Sequence, residues 1–140
     1  MRKQQGFTLI ELVVVVMILG ILAAVAAPKL LNTSGSASDN GLKETLGVVR
    51  DAIERYTAEH GGALPPGTNE AAFKASLLPY LRVFPKSPLN NAATVKIASG
   101  AGTTAASGTE AWAYNKDDGT FICNSTANTK SDPLVTYDTY

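Results

Sequence analysis

A run without a charged or strongly polar side chain, Leu12 to Ala27, lies close behind a basic start, Arg2-Lys3, and directly behind a single carboxylate, Glu11. Extended to Phe7 at one end and Leu31 at the other, the segment is about 25 residues. At roughly 1.5 Å of rise per residue, such a helix crosses a hydrocarbon core of about 30 Å. Val13 to Val16 are β-branched and favour a strand in water. A lone strand cannot satisfy its backbone groups in lipid, so the segment is expected to be helical.

Glu11 is out of place in such a segment. A carboxylate at the bilayer centre costs roughly 2.5 to 3.5 kcal/mol, so it needs a shallow position or a partner. If the chain is cut between Gly6 and Phe7, the new α-amine lies one helical turn before Glu11 and is the obvious partner. Three plainer readings compete: an ordinary transmembrane anchor, a buried core helix, and a cleaved secretory signal with Ala24-Val-Ala26 as its small-residue site. An ordinary anchor gives no reason for a Gly-Phe junction five residues before a Glu. A secretory signal would carry an unusual acid and have Pro28 just beyond its cut, and the length disfavours a core helix.

The stretch Lys3-Gln-Gln-Gly-Phe7-Thr-Leu-Ile-Glu11 resembles the class III signal peptide of type IV pilins and type II secretion pseudopilins. The resemblance covers about the first thirty residues. It implies cleavage of the leader 1–6 after Gly6 by a prepilin peptidase and N-methylation of Phe7. It also implies an assembly role for Glu11 and a helix bend at Pro28. The expected life history is a single-pass precursor in the cytoplasmic membrane, then a subunit of a filament outside it, extracellular or periplasmic. An assembly platform and an ATPase would drive extraction.

The full chain of 140 residues carries 12 basic and 12 acidic side chains. Loss of the leader with Arg2 and Lys3 leaves a slight acidic excess, so no basic field points to nucleic acid as the main partner. The lone cysteine, Cys123, has no intramolecular disulfide partner, and it lacks the spaced companions of a zinc site. A C-terminal loop must therefore be closed by packing or other contacts. No catalytic motif surrounds His60, the one histidine, whose place at a helix end suits the helix dipole. No enzyme activity, cofactor or metal is expected. Major pseudopilins bind calcium in a C-terminal loop, but here Asp117, Asp118, Asp132 and Asp138 fit no EF-hand spacing and read as solvated turn residues.

Downstream, Asn32 to Gly41 is rich in glycine and small polar residues, which predicts a loosened helix with Asp39 or Asn40 capping a restart. Leu42, Leu46, Val49, Ile53 and Tyr56 then recur at spacings of four and three. That stripe predicts an amphipathic spine helix over 42–60, ended by Gly61-Gly62. A short helix over 69–81, an extended connector through Phe84 to Pro88 and a strand over 94–98 follow. Ser99 to Thr109 offers no large apolar side chain and reads as an exposed, mobile loop. Residues 110–124 read as a hairpin about Lys116-Asp-Asp-Gly119, with Trp112 and Tyr114 on one face packed across the spine. The tail either lies over that hairpin through Leu134, Val135 and Tyr137, or frays.

The expected fold class is α+β: leader 1–6, membrane or filament-core helix 7–31, and a head over 32–140 with a short antiparallel sheet. The expected function is a type IV pilin-like subunit that polymerises with itself or in a mixed filament. A pseudopilin of type II secretion and a monomeric membrane-anchored binding module are the alternatives.

Overall fold

A computed structural model describes residues 7–100 and 104–140. The leader 1–6, with Gly6, lies outside the described residues. Helix α1 spans Leu9–Glu59, α2 spans Glu70–Leu77, and the strands are β1 (Val95–Ala98), β2 (Trp112–Asn115) and β3 (Phe121–Cys123). A 3-10 turn, Tyr137–Thr139, closes the chain. Long apolar helix, spine and small sheet make the expected α+β layout. The chain divides into two compact units, Met1–Gly35 and Ser36–Tyr140.

In the first unit, the apolar side chains of α1 are exposed throughout, from Leu9 at 80% to Leu30 at 70%. The helix is long and apolar enough to cross a membrane, by length and composition. Val13 to Val16 are helical despite their β-branching. Pro28 lies inside the helix. Its ring nitrogen cannot donate to the Ala24 carbonyl, which removes one rung of the ladder.

The second unit is built on the remainder of α1. Leu42, Leu46, Val49 and Ile53 are buried in one cluster with Phe73, Leu77, Trp112, Tyr114 and Phe121, and Tyr56 packs against its edge. The spine stripe therefore faces the core as its spacing predicts. The expected loosening over 32–41 is absent, and the helix runs through it without a break. Asp39 is accordingly not a cap. It is 1% exposed and bonded to the distant residues Ser131 and Tyr137, so tertiary contact overrides weak propensity there.

α1 ends where expected. Gly61 and Gly62 take positive φ, and the Gly62 amide returns to the Thr57 carbonyl at 2.8 Å, the long bond of a Schellman-type close. The His60 ring stacks on Tyr56 with centroids 3.8 Å apart. Asn69 caps α2, its side chain accepting from the Ala72 amide at 2.8 Å. α2 is shorter than the 69–81 read from sequence: it ends at Leu77 and gives way to a turn over 78–80, where Pro79 has no N–H to continue the ladder.

β2 and β3 form the expected hairpin, with Tyr114 opposite Phe121. β1, by contrast, pairs parallel to β2, Val95 opposite Trp112, so the sheet is mixed and not wholly antiparallel. A parallel pair needs a crossover of about a dozen residues, and the stretch from Ser99 to Ala111 supplies that length. Described parts of this crossover are fastened: Asn115 Nδ2 donates to the Gly100 carbonyl, and the Ser107 amide donates to Asn124 Oδ1 at 2.8 Å. Thr104 is buried. The reading of 99–109 as simply exposed and mobile is corrected to that extent, because two buried asparagines serve as its anchors.

Every residue of β2 is buried. Trp112 donates to the Pro85 carbonyl at 3.2 Å and Tyr114 to the Pro65 carbonyl at 3.0 Å, so each buried ring keeps its polar atom satisfied. Phe73 stacks on Tyr114 at 4.1 Å. The tail does not fray as a whole: Tyr137 is 3% exposed, although Leu134 is 93% exposed.

Candidate functional site

The candidate site is the start of α1. The first amides of any helix have no intrahelical acceptor and need an outside partner. Thr8 precedes the first helical residue, and Glu11 follows three positions later. The Thr8 amide donates to Glu11 Oε2 at 2.9 Å, and the Glu11 amide donates to Thr8 Oγ1 at 3.3 Å. These two bonds form a capping box. A third, from the Thr8 hydroxyl to the same Oε2 at 2.7 Å, ties the two side chains together.

Glu11 is thus held where the helix dipole is positive, which favours a carboxylate. In the uncut chain the Phe7 nitrogen is a peptide amide, and Thr8 supplies the carboxylate with donors instead. Both Thr8 donors reach one oxygen. A carboxylate has about four acceptor positions, so further donors can be accommodated.

Phe7, Ile10, Glu11, Val14 and Val15 line a shallow groove beside this turn. Phe7 itself is 85% exposed. The structure therefore brings Phe7 and Glu11 to one surface, while Pro28 lies about five helical turns further along α1. Thr8 is the residue that sequence reasoning missed. Its signal was present, since Thr-Leu-Ile-Glu ahead of an apolar run is the pattern of a capping box.

Several titratable groups elsewhere tie loops and tail to the second unit. The Asp117 carboxylate accepts from the Gly100 amide, and Asp118 accepts from the Thr120 amide and from Asn115. Arg50 donates twice to the Phe121 carbonyl and once to the main-chain oxygen of Tyr140, locking spine to hairpin and tail. Burial pushes the Cys123 thiol up to about 11, with the Asp138 charge adding to the effect, which makes it a poor nucleophile. Among the described residues there is no group of three or more histidine, cysteine or acidic side chains placed to hold a metal.

The family described as prokaryotic N-terminal methylation motif matches residues 1–27. Fimbrial protein EcpB of Eikenella corrodens is 47% identical over 62 residues, covering 44% of this chain and 38% of that protein. Prepilin peptidase-dependent protein D of Escherichia coli is 44% identical over 62 residues, 44% of this chain and 42% of its own. Type II secretion system core protein G of Vibrio cholerae is 40% identical over 60 residues, 43% of this chain and 41% of its own. The match thus spans about two fifths of the length of these relatives. No solved structure matches.

Proposed function

Taking as premise the likeness of its N-terminal stretch to that of fimbrial and type II secretion core proteins, we propose that the chain is a type IV pilin-like filament subunit. The observation that carries this reading is the first unit of α1. Its described apolar side chains are exposed from Leu9 to Leu30, behind a carboxylate fixed in a capping box at the start of the helix. An apolar surface of that extent needs lipid or other apolar helices around it.

Both environments serve in turn. Surface buried in the bilayer is buried against neighbouring helices once the subunit is extracted, so the hydrophobic energies nearly cancel. Packing and charge pairing then set the register. Gly6 is the processing residue, because a peptidase at the membrane face needs a small side chain at the cut. Phe7 becomes the methylated terminus and Pro28 the bend. Glu11 pairs with the Phe7 amine of a neighbouring subunit. The chain divides into leader 1–6, membrane and filament-core helix 7–31, and head 32–140. Its partners are prepilin peptidase, the assembly platform with its ATPase, the membrane and further copies of the chain.

Intact mass of the protein isolated from its native host tests this reading. Loss of Met1 to Gly6 with one added methyl is expected. A mature terminus at Ala27 or Pro28 would establish an ordinary secretory signal and overturn it.

A further inference from the structure

We propose that the C-terminal segment 127–140 is a strap that keeps the stretch Ser36–Gly41 of α1 wound as helix, acting through Asp39. This stretch, Ser-Ala-Ser-Asp-Asn-Gly, is poor in helix formers: serine, aspartate and asparagine compete for the backbone's own hydrogen bonds, and glycine has the most freedom to lose. It is helical all the same.

Asp39 is the buried residue of the stretch, at 1% exposure. A carboxylate at that depth requires partners. Its hydrogen bonds come from the far end of the chain: the Ser131 amide donates to Oδ2 at 2.6 Å, and the Tyr137 hydroxyl donates to Oδ1 at 2.8 Å. Each carboxylate oxygen therefore holds one end of the strap.

The strap is built to present those two donors together. Asn128 and Thr136 form a β-bridge, the Thr129 amide donates to the Val135 carbonyl at 2.8 Å, and Asn128 Nδ2 donates to the Pro133 carbonyl at 2.7 Å. Further along the spine, Lys43 Nζ sits 4.2 Å from the centre of the Tyr140 ring, and Arg50 donates to the Tyr140 main-chain oxygen. Three residues of α1, spaced along its length, thus hold one segment.

Coupling of this kind is reciprocal: what the strap gives the helix, the wound helix gives the strap. A partner that lifted residues 127–140 would unwind the helix where it enters the second unit. This holds whether or not the chain assembles into filaments, so its test is independent of that reading.

Hydrogen–deuterium exchange on the full chain in detergent micelles tests it. Asp39→Asn replaces an accepting oxygen with a donating amide. It should speed exchange over 36–41 and 128–137 together, by roughly ten- to a hundredfold, while 46–56 keeps its rate. Tyr137→Phe should act in the same direction and more weakly. Gly41→Ala is the converse variant, since a Cβ there meets open space. It should slow exchange over 36–41, and also over 128–137, by roughly threefold to fivefold. Loosening of 128–137 with 36–41 unchanged would show the tail to be a passenger and overturn the proposal. So would slowing by Gly41→Ala confined to the helix. If Asp39→Asn does not fold, the other two variants decide.

Discussion

Thr8 and Glu11 close the first turn of α1 on each other: the Thr8 amide and hydroxyl both donate to one carboxylate oxygen, and the hydroxyl oxygen accepts the Glu11 amide in return. The acid that looks anomalous in an apolar segment therefore has a local job before any neighbour arrives. Thr8→Ala removes both bonds of the hydroxyl, the one it donates and the one it accepts, and should weaken the first turn by about 1 kcal/mol, with Thr8→Ser nearly neutral. Amide exchange rates of residues 9–12 in micelles would show it.

Trp112 is fully buried and Tyr56 half-buried, so the two rings should weigh differently. In a fragment beginning near Thr33, expected to be soluble, monomeric and cooperative in unfolding, Trp112→Ala should cost roughly 3 to 5 kcal/mol. Tyr56→Ala should cost less, on the order of 1 to 2 kcal/mol. Denaturant midpoints of the two variants make the comparison, and equal midpoints would contradict the burial described.

Gly119 ends the hairpin turn at φ 78°, where an added Cβ would lie 2.8 Å from Leu64 Cδ2. Gly119→Ala should destabilise the same fragment by about 1 to 2 kcal/mol, from backbone strain and crowding combined. Thermal melts of the two proteins would measure this.

The strap should be sensitive to pH at both extremes. Burial alone would raise the Asp39 carboxyl, but hydrogen bonds from Ser131, Tyr137 and the Lys130 backbone hold it below its usual 3.8. Burial and the bond to Asp39 push the Tyr137 phenol up to about 12, from 10.0. A depressed acid stabilises the fold above its ordinary value, and that contribution is lost as pH falls through the depressed one. A raised phenol stabilises the fold fully below pH 10.0, and loses the contribution as pH climbs to about 12. Tail-specific Tyr137 signals in NMR should therefore hold steady at intermediate pH and shift at each end. Asp39→Asn should remove the acid limb.

Much of this structure is legible in the sequence because its causes are local. The apolar run after Glu11, the stripe from Leu42 to Tyr56, the glycine pair that ends it and the aromatic hairpin each carry their signal within a few residues. The unbroken helix through 32–41 does not, since it depends on Asp39 meeting Ser131 and Tyr137 more than ninety positions away. Propensity reads only neighbours. The parallel pairing of β1 is hidden likewise, because a strand's own residues do not name its partner's direction. Pinning of the crossover depends on Asn115 and Asn124, which in sequence look like ordinary turn residues. The capping box at Thr8 differs from all of these, because Thr8-Leu-Ile-Glu11 carries its signal within four residues.

In the function proposed above, Glu11 directs assembly of an apolar helix into a filament. Coulomb attraction at about 4 Å is worth roughly 1 kcal/mol in water and about 4 at an intermediate dielectric, before desolvation, which is enough to set register. Glu11→Val keeps the segment apolar and eases insertion, at the loss of the two bonds that Thr8 donates to the carboxylate. Filaments should therefore be counted from cells carrying only wild-type or only Glu11→Val protein, with leader removal confirmed by mass in each. Filaments are expected from the wild type, and processed protein without filaments from the variant. Normal filament numbers from fully processed Glu11→Val protein would contradict this role.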